Sequence, residues 1–170
     1  GSMVLDRENK ICYAAISIRT NQIAVIQFCK EFSYRPICFT ANQNVRSERL
    51  AIYHTNVMMC VADKFAVICL DSIDNKIEKE NVIETLIKSG KEIIEITEEQ
   101  KHRFAGNMLQ VMGDKPYLVM SNSAYNSLSE SQIKTIEDHC PIVHSSLDTI
   151  EACGGGSARC MMAEIFLPKK

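Results

Sequence analysis

A strand–helix–strand unit recurs along this chain about every 45–55 residues, and a period of that length marks an array of units that cannot each close a core alone. The units cover residues 3–42, 57–96 and 107–145 of 170. Hydrophobic periodicity places strands over 11–18, 36–40, 57–62, 65–70, 91–96, 107–112, 116–121 and 160–167. It places a helix over 21–32, with Ile23, Ile26, Phe28 and Phe32 on one rough face. A second helix is expected over 78–89, where Val82, Leu86 and Ile87 stand among Glu78, Lys79, Glu80 and Lys88. A third covers 129–139, opened by Ser129 and Gln132 at capping-box spacing. No linker or low-complexity run interrupts the pattern, so one domain is expected. Three units are too few for a closed propeller, which makes the chain an expected part of something larger.

Composition narrows the partners. Hydrophobic content is 46 % and charged content 24 %, ordinary for a soluble domain, and a chain of this length buries roughly 70 % of its unfolded surface. A net charge of −2 without a basic stripe argues against a nucleic-acid partner. No apolar stretch reaches the length of a membrane span, and the N-terminus lacks a secretory pattern. Eight cysteines stand at 12, 29, 38, 60, 69, 140, 153 and 160. The first five lie in apolar runs, where a free thiol acts as a small hydrophobe. There is no C-x-x-C and no Cys/His spacing of the zinc type, so neither a metal nor another cofactor is expected, and a reducing cytoplasm is the expected location.

Three segments carry chemistry. In Gly154-Gly155-Gly156-Ser157-Ala158-Arg159-Cys160, glycines precede a cysteine that is expected to open a strand. Such a loop presents sulfur beside unobstructed backbone donors, and a neighbouring cation such as Arg159 favours the thiolate. The alternative is a turn leading to a core cysteine. In Tyr53-His54-Thr55-Asn56, extended backbone would put His54 and Asn56 on one face. A Cys/His pair distant in sequence is the ordinary arrangement for nucleophilic catalysis, the alternative being a histidine satisfied at a strand end. In Ser17-Ile18-Arg19-Thr20-Asn21, Arg19 offers a planar fork to a carboxylate, or is a surface residue beside a helix cap at Thr20 or Asn21. His102, His139 and His144 read as structural or solvated.

Together, S-x-R-T, H-x-N and G-G-G-S-A-R-C-M in this order resemble the guanidino-group-modifying superfamily of arginine deiminase, dimethylarginine hydrolase and glycine amidinotransferase. The nearest resemblance is to bacterial amidinotransferase-like citrulline hydrolase proteins, through 1–7, Tyr53–Met59 and Phe104–Leu109. It runs from Gly1 to Pro168. It implies a pentein (α/β propeller) fold of five strand–helix modules around a central channel that holds the active site. About three of the five are present, so 1–170 would be the C-terminal part of a single pentein catalytic domain.

The resemblance also implies roles. Cys160 would attack the central carbon of a guanidinium or ureido group, and His54 would protonate the leaving amine and then activate water. Arg19 would grip the substrate α-carboxylate, while Gly155 and Gly156 shape the pocket beside the sulfur. Relatives that handle arginine carry aspartate where this chain has Asn56. A neutral amide suits an uncharged ureido group better than a cation, so citrulline or a similar amino-acid substrate is expected. Amidinotransfer and a catalytically inactive binding module are the alternatives. The glutamate that supports the histidine in relatives would lie just before Gly1-Ser2, which reads either as an expression scar or as native family sequence after truncation. Without it the 170 residues alone are expected to be inactive, and to associate with themselves or with a missing N-terminal half.

Overall fold

A computed structural model of the chain describes residues 1–166. The first module starts with β1 (Val4–Asp6) antiparallel to β2 (Ile11–Ala15). Helix α1 (Gln22–Phe32) then carries the chain back to β3 (Arg35–Phe39), which lies parallel to β2. A hairpin, β4 (Asn42–Val45) and β5 (Glu48–Ala51), leads to the second module. There β6 (Met59–Val61) and β7 (Phe65–Ile68) pair antiparallel, and α2 (Lys76–Lys88) crosses to β8 (Glu92–Glu95), parallel to β7. Short helix α3 (Glu98–His102) opens the third module, in which β9 (Leu109–Met112) pairs with β10 (Pro116–Ser121). Helices α4 (Asn122–Ser127) and α5 (Glu130–Glu137) return the chain to β11 (Ile142–Ser145), parallel to β10. Helices α6 (Asp148–Gly154) and α7 (Ala158–Met161) follow. The sheet of each module thus has three strands with its second strand in the centre, because a parallel pair needs a crossover that a hairpin cannot supply.

The central strands explain the patterning. Every residue of β2 and of β7 is buried, as a strand covered on both faces requires. Burying a side chain such as Phe65 or Ile68 contributes about 1.5–3 kcal/mol, and Phe65→Ala would cost about 3–5 kcal/mol. Helix α1 is capped by Asn21, whose Oδ1 accepts from Ile23 N at 2.9 Å and Ala24 N at 3.2 Å. Its buried residues are Val25 and Cys29, which pack on Cys12 and Ala14 of β2. This corrects the expected face: Ile23 is 76 % exposed and Ile26 and Phe32 lie outward, because the sheet contacts the stripe one step around the helix. In α2, Val82 and Leu86 are buried as expected, whereas Ile87 is exposed.

Three further expectations are corrected. Strand β2 stops at Ala15, and Ser17 to Thr20 form a turn closed by reciprocal backbone hydrogen bonds of 3.2 and 3.1 Å. His54 itself keeps extended backbone, at φ −136° and ψ 137°, but it does not lead straight into a strand. It caps a 3-10 turn, Thr55–Val57, because Val57 N–H turns back to the His54 carbonyl at 3.1 Å. The expected strand over 160–167 is instead helical turn α7 followed by irregular chain, and residue 167 lies outside the described residues, as does Pro168. The strand fails because the Cys160 N–H closes on the Ser157 carbonyl at 3.0 Å and no sheet edge meets this segment.

The modules meet through their first strands: β1 packs beside β6, and β6 beside β9. Residues of these strands line a cavity of about 550 Å³.

Candidate active site

Cys160 stands in α7, held at the end of the glycine loop. Gly155, in the left-handed region at φ 66°, ends α6 and turns the chain, a conformation that costs a side-chain-bearing residue about 1–2 kcal/mol. Ser157 is fully buried and donates to Glu151 Oε1 at 2.5 Å, tying α7 to α6. Gly156 lies so close that a β-carbon there would stand 3.2 Å from Cys160 Sγ. The thiol is free and exposed. Two buried side-chain amides point at its sulfur: Asn107 Nδ2 at 3.3 Å and Asn56 Nδ2 at 3.8 Å.

His54 and Asn56 flank fully buried Thr55, which anchors their turn. Thr55 Oγ1 accepts from Ala15 N at 2.8 Å and donates to the Ser2 carbonyl at 2.5 Å, so β2 and the N-terminal residues are fastened at once. Asn56 N donates to the Gly1 carbonyl at 3.1 Å. A β-carbon on Gly1 would lie 2.8 Å from His54 Nδ1 and 3.1 Å from Asn56 Oδ1, so imidazole and carboxamide converge on that glycine despite the curled backbone. Among the described residues the imidazole makes no hydrogen bond to Cys160; it is Asn56, two residues on, that reaches the sulfur. Partial burial and then the Arg19 guanidinium lower the His54 pKa below the usual 6.5. The Arg159 guanidinium donates to the Met162 carbonyl at 3.3 Å.

Arg19 is exposed on the Ser17–Thr20 turn, with its guanidinium 5.2 Å from the centre of the Tyr53 ring. Tyr53 joins the remaining parts. Its ring lies 4.9 Å from that of His54, its hydroxyl donates to the Gly155 carbonyl at 3.4 Å, and its carbonyl accepts from Ser17 Oγ at 2.9 Å. The structure therefore gathers Cys160, His54, Asn56, Arg19, Gly155 and Gly156 into one cluster. It adds Tyr53 and Asn107, which were quoted only inside motifs; a polar residue directly after a glycine, as in Gly106-Asn107, was the available signal.

The cavity along β1, β6 and β9 meets this cluster at Gly1 and Arg159, but Cys160, His54 and Asn56 do not line it. The Oδ1 atoms of Asn56 and Asn107 are buried without a partner among the described residues. Two unpaired acceptors beside the Cys160 sulfur fit a ligand rich in N–H groups, since an orphaned buried acceptor costs about 1–3 kcal/mol. Elsewhere, His139 Nε2 pairs with Glu92 Oε2 at 2.8 Å and His144 Nδ1 with Asn122 Oδ1 at 2.7 Å, each ring stacked on an aromatic. No group of three potential metal ligands occurs among the described residues, and no described helix is long and apolar enough to cross a membrane.

The profile of the family described as N,N dimethylarginine dimethylhydrolase, eukaryotic, matches residues 1–167. Comparison with curated protein sequences returns no match. Among solved structures, the fold is similar to ArgZ, an arginine dihydrolase from the ornithine–ammonia cycle in cyanobacteria, with a TM-score of 0.72 and 15 % identity over 94 % of this chain. The chain spans 23 % of ArgZ, and 53 % of the separate ArgZ N-terminal domain bound to product, to which it is 20 % identical with a TM-score of 0.69. AgrE in complex with ornithine and NAD+ gives a TM-score of 0.73 at 16 % identity, covering 100 % of this chain and 23 % of AgrE. SxtG, an amidinotransferase from Microseira wollei, gives 0.57 at 15 % identity, covering 89 % and 43 % of the two chains. These likenesses establish the pentein-type α/β fold.

Proposed function

Since this chain belongs to the N,N-dimethylarginine dimethylhydrolase family, we propose that the full-length protein hydrolyses a C–N bond in the ureido or guanidino group of an amino-acid substrate, with Cys160 as nucleophile. The observation that carries this reading is exposed Cys160, its Sγ held between the amides of Asn107 and Asn56, with His54, whose pKa is lowered, two residues from Asn56. At neutral pH His54 is then largely neutral and able to take the thiol proton. The thiolate attacks the central carbon; the resulting imidazolium gives its proton to the leaving nitrogen as the C–N bond breaks. His54 next takes a proton from water, which attacks the carbon and releases the thiolate. Arg19, on the far side of Tyr53, is suited to the α-carboxylate.

Asn56 directs the substrate choice. Its neutral carboxamide offers an acceptor and a donor but no charge, which suits a ureido group better than a guanidinium. Citrulline is therefore the leading substrate. The ArgZ and AgrE likenesses support an arginine-derived amino acid in general, and the length of chain covered keeps the activity a property of the whole protein. The test is release by the full-length protein of ammonia from citrulline, arginine and agmatine, and of ammonia, methylamine or dimethylamine from methylarginines. Turnover of citrulline that disappears in Cys160→Ala is expected; no ammonia or methylated amine from any of them overturns the reading. Labelling of Cys160 by a haloacetamidine that is lost in His54→Ala separates an enzyme from an inactive binding module.

A further inference from the structure

The side chain that ties the candidate nucleophile to the rest of the site is Asn107. It is 3 % exposed and is reached by a backbone that passes unusually near the His54 turn: a β-carbon on Gly106 would fall 2.5 Å from the Val57 carbonyl oxygen. Asn107 Nδ2 has two hydrogens and both are used, one on the Asn56 carbonyl at 2.8 Å and one on Cys160 Sγ at 3.3 Å. The orientation of the carboxamide follows from the first of these, since the flipped form would set Oδ1 against another carbonyl. Its own carbonyl accepts the Arg159 N–H at 3.3 Å, and its N–H closes on the Phe104 carbonyl at 2.8 Å. One residue at the entry to β9 thus touches the thiol, the backbone just before it and the turn that carries His54.

We propose that Asn107 is a positioning residue that holds the Cys160 sulfur in register with the His54–Asn56 turn and supports the anionic form by an N–H···S hydrogen bond. The proposal rests on Cys160 being the nucleophile. Its Nδ2 acts through sulfur, so a variant that keeps an acceptor at the Oδ1 position, as Asn107→Asp does, should largely spare substrate affinity while the covalent step suffers.

The test compares the full-length protein with Asn107→Asp, which keeps the shape but replaces a donor by an acceptor, and with Asn107→Ser. Cys160 labelling by a haloacetamidine at neutral pH is expected to slow about tenfold to a hundredfold in both, as small misplacements of reacting groups do. In the aspartate variant labelling should recover as the pH is raised; kcat should fall with KM nearly unchanged. Parental labelling rates in either variant overturn the proposal. So does slowing that tracks a lowered Tm in both variants with no change in pH profile, which would leave Asn107 a purely structural part. If Cys160→Ala retains turnover, the functional reading itself fails, whatever Asn107 does.

Discussion

Lys91 Nζ lies 3.2 Å from Asp6 Oδ2, and both side chains are only 2 % exposed. The pair joins the end of β1 to the residue that precedes β8, so it fastens the first module to the second. Its remaining needs are met by the chain: Asn9 Nδ2 donates to Asp6 Oδ2 at 2.9 Å, and Lys91 Nζ donates to the Asp63 carbonyl at 2.8 Å. Removing one partner strands the other in a desolvated site. Lys91→Ala is therefore expected to cost about 3–5 kcal/mol, read as a lowered midpoint in urea unfolding. Replacing both residues by apolar ones of similar size should restore much of the loss. A single variant that unfolds at the parental midpoint would show that the pair is not desolvated.

The environment of His54 sets the direction of a pH dependence. Burial and the Arg19 guanidinium disfavour the imidazolium, so its pKa in the folded protein is below 6.5. If neutral His54 takes the thiol proton, the rate of Cys160 modification rises as pH climbs through that lowered value, with its midpoint on the acid side of 6.5. Arg19→Ala removes that cation and should move the limb towards 6.5. The same shift enters stability: His54 is easier to protonate in the unfolded chain, so its contribution is complete above 6.5 and declines as pH falls towards the folded value. Rates of labelling measured across this range decide the point; a midpoint above 6.5 would contradict it.

Asn56→Asp places a carboxylate where the neutral amide faces the sulfur. A guanidinium should gain from that charge and a ureido group should not. The ratio of kcat/KM for arginine over citrulline is expected to rise about tenfold or more, equivalent to about 1.4 kcal/mol. An unchanged ratio would remove Asn56 from the determination of specificity.

Gly106 and Gly154 make opposite predictions. At Gly106 a methyl group meets backbone: Val57 O at 2.5 Å and Met58 C at 2.8 Å. Gly106→Ala should cost about 1–3 kcal/mol and weaken Cys160 labelling, because Asn107 is carried along when the backbone gives way. At Gly154, the last residue of α6, a β-carbon meets nothing within 4 Å. Gly154→Ala should change stability by no more than about 0.5 kcal/mol. Thermal unfolding of the two variants makes the comparison.

Much of this architecture was readable because its signals are local. The box over Ser129 and Gln132 is realised with Ser129 Oγ accepting from Gln132 N at 3.2 Å and Gln132 Oε1 accepting from Ser129 N at 2.8 Å. Strand β10 runs over 116–121 as expected. The hairpin of β4 and β5 was not readable, because its residues are mostly exposed and carry no alternation. It is held instead by Arg49, whose guanidinium reaches Asp74 at 2.6 Å and Glu98 at 2.5 Å.

Hydrophobic period alone thus determined three strand–helix modules, because side-chain alternation along a strand and around a helix is written into neighbouring residues. The quoted motifs named Cys160, His54, Asn56 and Arg19. What only the tertiary structure decided is how these meet: that Cys160 sits on a helical turn, that Tyr53 links Arg19 to the glycine loop, and that Asn107 spans the sulfur and the Asn56 carbonyl. Such contacts join residues of different modules. Their energy comes from desolvated partners brought close by the fold, and no local run of sequence encodes that proximity.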